Sequence, residues 1–140
     1  MTDRFDNFIR LILTRCESPE GFNHPIDSWS NSDWFVALMG EVGEAANIQK
    51  KLNRIRDGIA NRKDDNALEL HEKLQFELAD AFHYLCFIAI KEGIDLLDVA
   101  EEKYRIVSVE LGYTEPVRPF NPPVAEAPVT QSQNDSAVDS

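Results

Sequence analysis

Apolar residues recur every three or four positions along most of the first 113 residues, which is the spacing of helices buried on one side. Phe5, Phe8, Ile9, Ile12 and Leu13 show this spacing near the start of the chain. Almost no stretch alternates apolar and polar residues as a half-buried strand would. The pattern predicts an all-α chain with helices over about 3–16, 33–56, 67–91 and 96–111.

Capping residues place the ends of these predicted helices. Ser32-Asp33 is a candidate N-cap for the second helix, and Asp57-Gly58 is a stop signal after it. Gly93 closes the third helix, and Asp95 can cap the fourth. Pro19, Gly21 and Pro25 mark the first connection as a loop.

Each of the two long helices has an apolar stripe at helical spacing. On the second helix the predicted core stripe is Glu41, Ala45, Ile48, Leu52 and Ile55. On the third helix it is Leu70, Leu74, Leu78, Ala81, Leu85 and Ile88. We therefore expect a four-helix bundle, and a chain this small and helix-rich favours completion of the bundle in a homodimer or homotetramer.

The last part of the chain has a different composition. Five of the seven prolines follow residue 113, and the sequence ends in a polar run from Gln131 to Ser140. Such a segment buries too little apolar surface to offset the entropy lost on ordering. We expect one helical domain over 1–113 and a flexible, Pro-rich acidic tail over 114–140.

The charge balance narrows the functional classes. The net charge is −11, and only four acids and one arginine lie after residue 113, so most of this charge belongs to the helical part. An acidic surface repels nucleic acid and anionic membranes, and we expect neither as a partner. Cys16 and Cys86 have no metal-site spacing, and the start of the chain has no apolar leader, so we expect a soluble cytoplasmic protein with reduced thiols.

Two short acidic motifs are the main candidates for chemistry. Glu41 and Glu44 are three residues apart on the second helix, as are Glu77 and Asp80 on the third. Acids at this spacing project from one side of a helix, so two packed helices would gather four carboxylates. Such a cluster is costly unless cations neutralise it, and carboxylate oxygens suit Mg²⁺ or Mn²⁺. Acids at the edge of the core, paired with lysine or arginine, are the alternative.

Gly40 and Gly43 interrupt the same helix, at a cost of up to about 1 kcal/mol each relative to alanine. We expect a neighbouring helix or a ligand to approach the backbone closely there; simple tolerance of glycine is the alternative.

Three segments together resemble a known family. They are WFVALMGEVGEAAN over 34–47, ELADAFHYL over 77–85 and EKYRIVS over 102–108, followed by Gly112-Tyr113. They are similar to the MazG-type all-α nucleoside triphosphate pyrophosphohydrolases, over roughly residues 30–113. The family has E-x-x-E on one helix, E-x-x-D on the next, and then a helix with a lysine and usually an asparagine.

The resemblance implies a metal-dependent hydrolase that converts a nucleoside triphosphate to the monophosphate and pyrophosphate, with a purine deoxynucleotide as the favoured substrate. Its Mg²⁺ or Mn²⁺ ligands and catalytic acids would be Glu41, Glu44, Glu77 and Asp80. Lys103 would contact phosphate. The chain departs from the family at Arg105, where asparagine is frequent.

Other residues are candidates for substrate binding. Asn47, Lys51 and Arg54 continue the Glu44 stripe and are placed to reach phosphates, although a solvated helix face has the same pattern. Trp34, like Trp29, is suited to stacking on a base, but core or interface packing suits it equally. His83 follows Asp80 by three and is either a group that supports the metal ligands or a structural histidine.

Two other functions fit an acidic helical bundle. A di-iron or di-manganese carboxylate protein usually takes a Glu-x-x-His motif from each of two helices, and only Asp80-x-x-His83 approaches it here. A non-enzymatic binding or oligomerisation module would need none of the four acids.

Overall fold

The computed structural model describes residues 2–59 and 66–114. Within these ranges the chain forms four α-helices and no β-strand, which confirms the all-α prediction. The helices are α1 (Thr2–Glu17), α2 (Asn31–Arg56), α3 (Ala67–Glu92) and α4 (Leu96–Glu110), and a 3-10 turn at Ile26–Ser28 precedes α2. The predicted tail, apart from Thr114, lies outside the described residues, as does part of the charged segment between α2 and α3.

Gly93 ends α3 and Asp95 caps α4 as predicted, Asn66 is a cap that was not predicted from the sequence, and the start of α2 differs from the prediction. Asn66 and Asp95 accept hydrogen bonds from backbone N–H groups at the starts of α3 and α4, and Gly93 ends α3 in the left-handed conformation. The N-cap of α2 is Ser30, two residues before the predicted Ser32-Asp33. The Ser30 side chain accepts a hydrogen bond from the Asp33 backbone, and the Asp33 carboxylate accepts one from the Ser30 backbone. This reciprocal capping box fixes the earlier start of α2.

Helices α2 and α3 pack against each other as an antiparallel pair along most of their length. Trp34 at the start of α2 meets Phe87 near the end of α3, with ring centroids 5.4 Å apart. At the opposite end, Ile48 and Leu52 of α2 form a second apolar cluster with Leu70 of α3. The contact between these two helices therefore has an aromatic end and an aliphatic end.

The side of α3 that faces α2 differs from the predicted stripe. Leu70 and Ile88 are buried as expected, but Leu78 and Leu85 are exposed. Glu77 and Tyr84 are half-buried instead. The residues of α3 that face α2 are separated by three or four positions, which matches 3.6 residues per turn. This spacing brings position 77, rather than 78, to the contact.

Helix α1 covers the aromatic end of the pair. Ile12 and Cys16 are buried in a cluster with Trp34, Cys86, Phe87 and Ile88. Lys91 of α3 bonds Asp27 in the 3-10 turn at 3.0 Å, and Asn31 donates a hydrogen bond to Glu92. These contacts fix the start of α2 and the preceding loop against the end of α3.

Helix α4 adds little to this core. Its first residue, Leu96, packs on the α1 cluster, but none of its residues is buried. Apolar residues remain exposed along it and just beyond, and they are Val99, Tyr104, Ile106, Val109, Leu111 and Tyr113. Within the described residues of the single chain, the four helices therefore do not enclose a common core.

The two glycines of α2 have open surroundings in the single chain. A Cβ atom added at Gly40 or at Gly43 would meet nothing within 4 Å among the described residues. The close helix approach that the sequence suggested there is not made within this part of the chain.

Candidate metal centre and the adjoining cavity

Three carboxylates from facing helices meet midway along the α2–α3 pair. Glu41 of α2 and Glu77 and Asp80 of α3 each offer one oxygen, and these atoms all lie within 4.8 Å of one another. The spacing of three residues places Glu77 and Asp80 on one side of α3, and antiparallel packing brings Glu41 opposite them. We refer to Glu41, Glu77 and Asp80 as the acidic triad.

The charges of the triad repel one another. Partial burial raises the pKa of Glu41 most, and the negative charges of Asp80, Glu44 and Glu77 raise it further. A side-chain hydrogen bond with Glu77 also favours the protonated form of Glu41. Each of these influences disfavours the charged form of Glu41. A cation bound among the three carboxylates would offset the repulsion between their charges.

His83 supports the triad from one turn further along α3. Its Nδ1 lies 3.5 Å from an Asp80 carboxylate oxygen, and its ring packs 5.6 Å from that of Phe8 in α1. The half-buried imidazole therefore links Asp80 to the α1 packing. His83 is not among the three residues whose ligand atoms converge, so the group offers oxygen ligands alone.

The fourth predicted ligand lies outside this group. Glu44 is exposed, although it is near enough for its charge to raise the pKa of Glu41. The structure thus brings three of the four predicted ligands together and leaves Glu44 at the edge of the group.

The residues predicted to contact phosphate lie outside the triad, on later turns of α2 and on α4. Asn47 is exposed and accepts a hydrogen bond from Lys50 at 2.8 Å. Lys51 is half-buried and Arg54 exposed on the next two turns of α2. Lys103 is exposed on α4, which does not pack along the triad helices of the same chain.

A cavity of about 400 Å³ adjoins the triad on the side of α1. Glu41, Asp80 and His83 line one end of it. Six aromatic rings line the rest, and they belong to Phe22, His24, Trp29, Trp34, Tyr84 and Phe87. We call this second part the aromatic pocket.

The two tryptophans have different positions in this pocket. Trp34 is 2% exposed, and its indole N–H donates to the Ile26 carbonyl at 3.1 Å. Its burial in the core cluster fits the predicted core packing, and it leaves little ring surface on which a base could stack. Trp29 is 37% exposed and lies with its ring centroid 4.7 Å from that of Trp34.

The loop between α1 and α2 supplies three of the six rings of the aromatic pocket, and of these three only Trp29 was a candidate from the sequence. His24 had no recognisable partners in the sequence, yet its ring lies 4.4 Å from that of Trp29 and 5.1 Å from that of Trp34. The Cys16 thiol donates to the His24 carbonyl at 3.2 Å. The nearby loop signals gave the location of the turn but not the direction of its side chains.

One glycine fixes the path of this loop. A Cβ atom on Gly21 would lie 2.0 Å from the Arg15 carbonyl oxygen, which accepts a hydrogen bond from the Phe22 backbone at 3.0 Å. The chain can therefore fold back on the end of α1 only with glycine at this position.

No helix in the described part of the chain is both long enough and apolar enough to cross a membrane. No protein-family model, curated protein sequence or solved structure matches this chain. The function is therefore inferred from the acidic triad and its cavity.

Proposed function

We propose that this protein is a metal-dependent nucleoside triphosphate pyrophosphohydrolase of the MazG type, which releases a nucleoside monophosphate and pyrophosphate. The observation that carries the proposal is the convergence of Glu41, Glu77 and Asp80 beside a cavity large enough for a nucleoside. A site that joins three acids to an aromatic pocket suits a substrate with an anionic end and a flat ring.

The donor set of the triad fits a divalent cation. Mg²⁺ and Mn²⁺ prefer oxygen ligands, and the three oxygens lie within 4.8 Å of one another, so small side-chain rotations would bring them into reach of one cation with Mg²⁺–oxygen bonds of about 2.0–2.1 Å. The repulsion that raises the pKa of Glu41 would be relieved by such an ion. Glu44 completes the predicted ligand set if its side chain turns toward the triad.

In the proposed reaction, the oxygen of a water molecule bonds to the α-phosphorus, the bond to the α–β bridging oxygen breaks, and the water gives up a proton to the solvent. Pyrophosphate leaves with the electron pair of the broken bond. A bound Mg²⁺ would neutralise charge on the phosphates and would lower the pKa of the attacking water.

The residues of the chain hold and orient these groups. Glu41, Glu77 and Asp80 would fix the cation between α2 and α3, and His83 would keep Asp80 in position through its 3.5 Å contact. Asn47, Lys51, Arg54 and Lys103 remain the proposed contacts to phosphate oxygens.

We propose further that the protein acts as a homodimer or homotetramer in which a second copy completes the four-helix bundle. Apolar side chains are exposed on α4, and others, including Val36, Met39 and Phe76, are exposed on α2 and α3. A stable soluble chain rarely leaves so many large apolar residues in water, so a second copy is the simplest cover for them.

The test is to incubate the protein with each common and deoxy triphosphate and Mg²⁺ or Mn²⁺, and to resolve the monophosphate and pyrophosphate from the diphosphate and orthophosphate. We expect monophosphate and pyrophosphate, and no turnover in EDTA. Asp80→Asn and Glu77→Gln should each lower the rate by about 100-fold or more, because each removes a metal ligand.

Glu72→Gln is the matched control, because Glu72 is an exposed acid on the same helix and outside the triad. It should retain the rate of the unmodified protein. Full activity in the triad variants, with their helical content intact, would refute the proposal. Absence of turnover with every nucleotide and metal would favour a non-enzymatic binding module.

A further inference from the structure

The aromatic pocket exceeds what phosphate hydrolysis alone requires. Cations and phosphates need the acidic end of the cavity, whereas the remainder of its roughly 400 Å³ is walled by rings from the α1–α2 loop and from α2 and α3. A space of this kind, apolar with a few polar groups, is the usual form of a small-molecule site.

The ring arrangement favours a flat aromatic ligand. His24 meets Trp29 edge-on, and the two tryptophan rings are tilted 56° to each other. Trp34 is held by its bond to Ile26, while Trp29 keeps 37% of its surface exposed. A base can stack on such a ring, because every base has a π face.

The polar groups at this end of the cavity are mainly donors. Arg15 lines the cavity with a guanidinium group held 5.1 Å from the centre of the Phe22 ring, and arginine has five N–H donors and no acceptor. The indole of Trp29 is also a donor. Nε2 of His24, which donates or accepts according to the tautomer, is buried without a hydrogen-bond partner among the described residues.

Other polar groups nearby are already engaged or can act either way. The Cys16 thiol donates to the His24 carbonyl, and the Trp34 indole donates to Ile26. The Tyr84 hydroxyl can donate or accept, and burial raises its pKa most, with the charges of Glu41 and Asp80 raising it further. An acceptor on the ligand ring would therefore be well matched at the end that Arg15 and Trp29 line.

We propose that the aromatic pocket binds the nucleobase and prefers a carbonyl-bearing base, such as guanine or hypoxanthine, to adenine. The inference rests on the proposed hydrolysis for the identity of the ligand as a nucleotide. The base lies among the rings near Trp29 and Arg15, and the phosphates lie toward the acidic triad.

The test compares 2′-deoxyinosine with 2′-deoxyadenosine, which share a purine ring and differ in a carbonyl or an amino group at C6. Binding of each nucleoside to the full chain in EDTA is measured by saturation-transfer NMR, so neither metal nor turnover is required. We expect deoxyinosine to bind about 5-fold or more tighter, which corresponds to one matched hydrogen bond of about 1 kcal/mol.

Three variants locate the binding. Trp29→Ala should weaken deoxyinosine at least about 5-fold through the loss of stacking, and Trp29→Phe should restore most of the affinity. Arg15→Met should reduce the preference for deoxyinosine over deoxyadenosine. Tyr113→Ala is the control, because Tyr113 is an aromatic residue outside the cavity that is more exposed than Trp29. It should change neither the affinity for deoxyinosine nor the preference for it over deoxyadenosine.

The outcomes separate this inference from the proposed reaction. If Trp29→Ala and Tyr113→Ala bind deoxyinosine equally, the base pocket is wrong even where triphosphates are hydrolysed. If deoxyadenosine binds as tightly as deoxyinosine, the carbonyl preference is wrong. If the nucleosides bind as expected while no triphosphate is hydrolysed, the pocket stands and the hydrolase proposal falls.

Discussion

At the scale of single residues, the carboxylates proposed to bind a cation repel one another, and this repulsion lowers the stability of the fold. Glu41 is only partly buried, yet burial and three neighbouring carboxylates all disfavour its charge. Such a residue reduces the stability of the fold when no cation is bound, and under the proposed function it would contribute to metal binding.

Glu41→Gln should therefore raise the melting temperature of the protein in EDTA at pH 7.5 by a few degrees, because it removes one repelling charge. The raised pKa means that the folded protein takes up a proton on Glu41 before the unfolded chain does. The original protein thus recovers stability as the pH falls toward 4.5, and the gain from the substitution should shrink over that range.

Calorimetry with and without Mg²⁺ checks this expectation. Mg²⁺ should raise the melting temperature of the original protein and have little effect on Glu41→Gln. An equal response to Mg²⁺ in the two proteins, or a lower melting temperature of the variant in EDTA, would contradict the assignment of Glu41 to the metal site.

At the scale of elements, the α1–α2 loop is as specific a structure as the helices that flank it. Gly21 packs on the carbonyl of Arg15, and Glu17 accepts a hydrogen bond from the Ile26 backbone at 3.1 Å. These contacts give the side chains of His24 and Trp29 fixed places beside α2 and α3.

Gly21→Ala should destabilise the protein by about 1–3 kcal/mol, because the added methyl group overlaps the Arg15 carbonyl and must displace the loop. Urea unfolding measures this cost, and nucleoside binding reports the damage to the pocket. Gly40→Ala is the matched control: its Cβ meets open space, so it should be neutral or should stabilise the single chain by up to about 1 kcal/mol. Equal stability of the two variants would show that the loop is looser than described.

The sequence predicted the helices well and their contacts less well. Apolar spacing and caps located α3 and α4 to within a residue at most ends, because both signals are local. The same spacing placed Leu78 and Leu85 in the core, where the structure has Glu77 and Tyr84. Adjacent stripes on a helix differ by only a small rotation, and the partner helix decides which one is buried.

The acidic triad could be predicted because two local motifs specify it once α2 and α3 pair. The aromatic pocket could not, because it depends on the direction of side chains in an irregular loop. His24 illustrates the difference: its position between two tryptophans follows from the path of residues 18–30 and from no periodic pattern.

At the scale of the whole molecule, the apolar side chains of α4 remain exposed because no other part of the described chain covers them. No residue of α4 is buried, and Val109 near its end and Leu111 just beyond it are 80% and 76% exposed. Lys103, the proposed phosphate contact, lies on this same helix, so the position of α4 in the assembled protein bears on the site.

Light scattering coupled to gel filtration should find a dimer or tetramer. Val109→Lys should shift it toward the monomer, because the substitution places a charge in the apolar contact. Glu101→Lys adds lysine to a polar position of the same helix and should leave the assembly unchanged. A monomer in the original protein, or equal shifts in both variants, would contradict assembly through α4.

The loop residues of the cavity and the carboxylates of the two long helices belong to separate parts of the chain, so each set can be altered by mutation without the other. The carboxylates belong to regular helices, whereas Phe22, His24 and Trp29 belong to a short irregular segment that joins the helical pair from outside. If the proposed ligand and reaction hold, exchange of that segment would alter which ring is accepted without moving an acid. Ligand selectivity and reaction chemistry could then diverge separately, in evolution or by loop grafting.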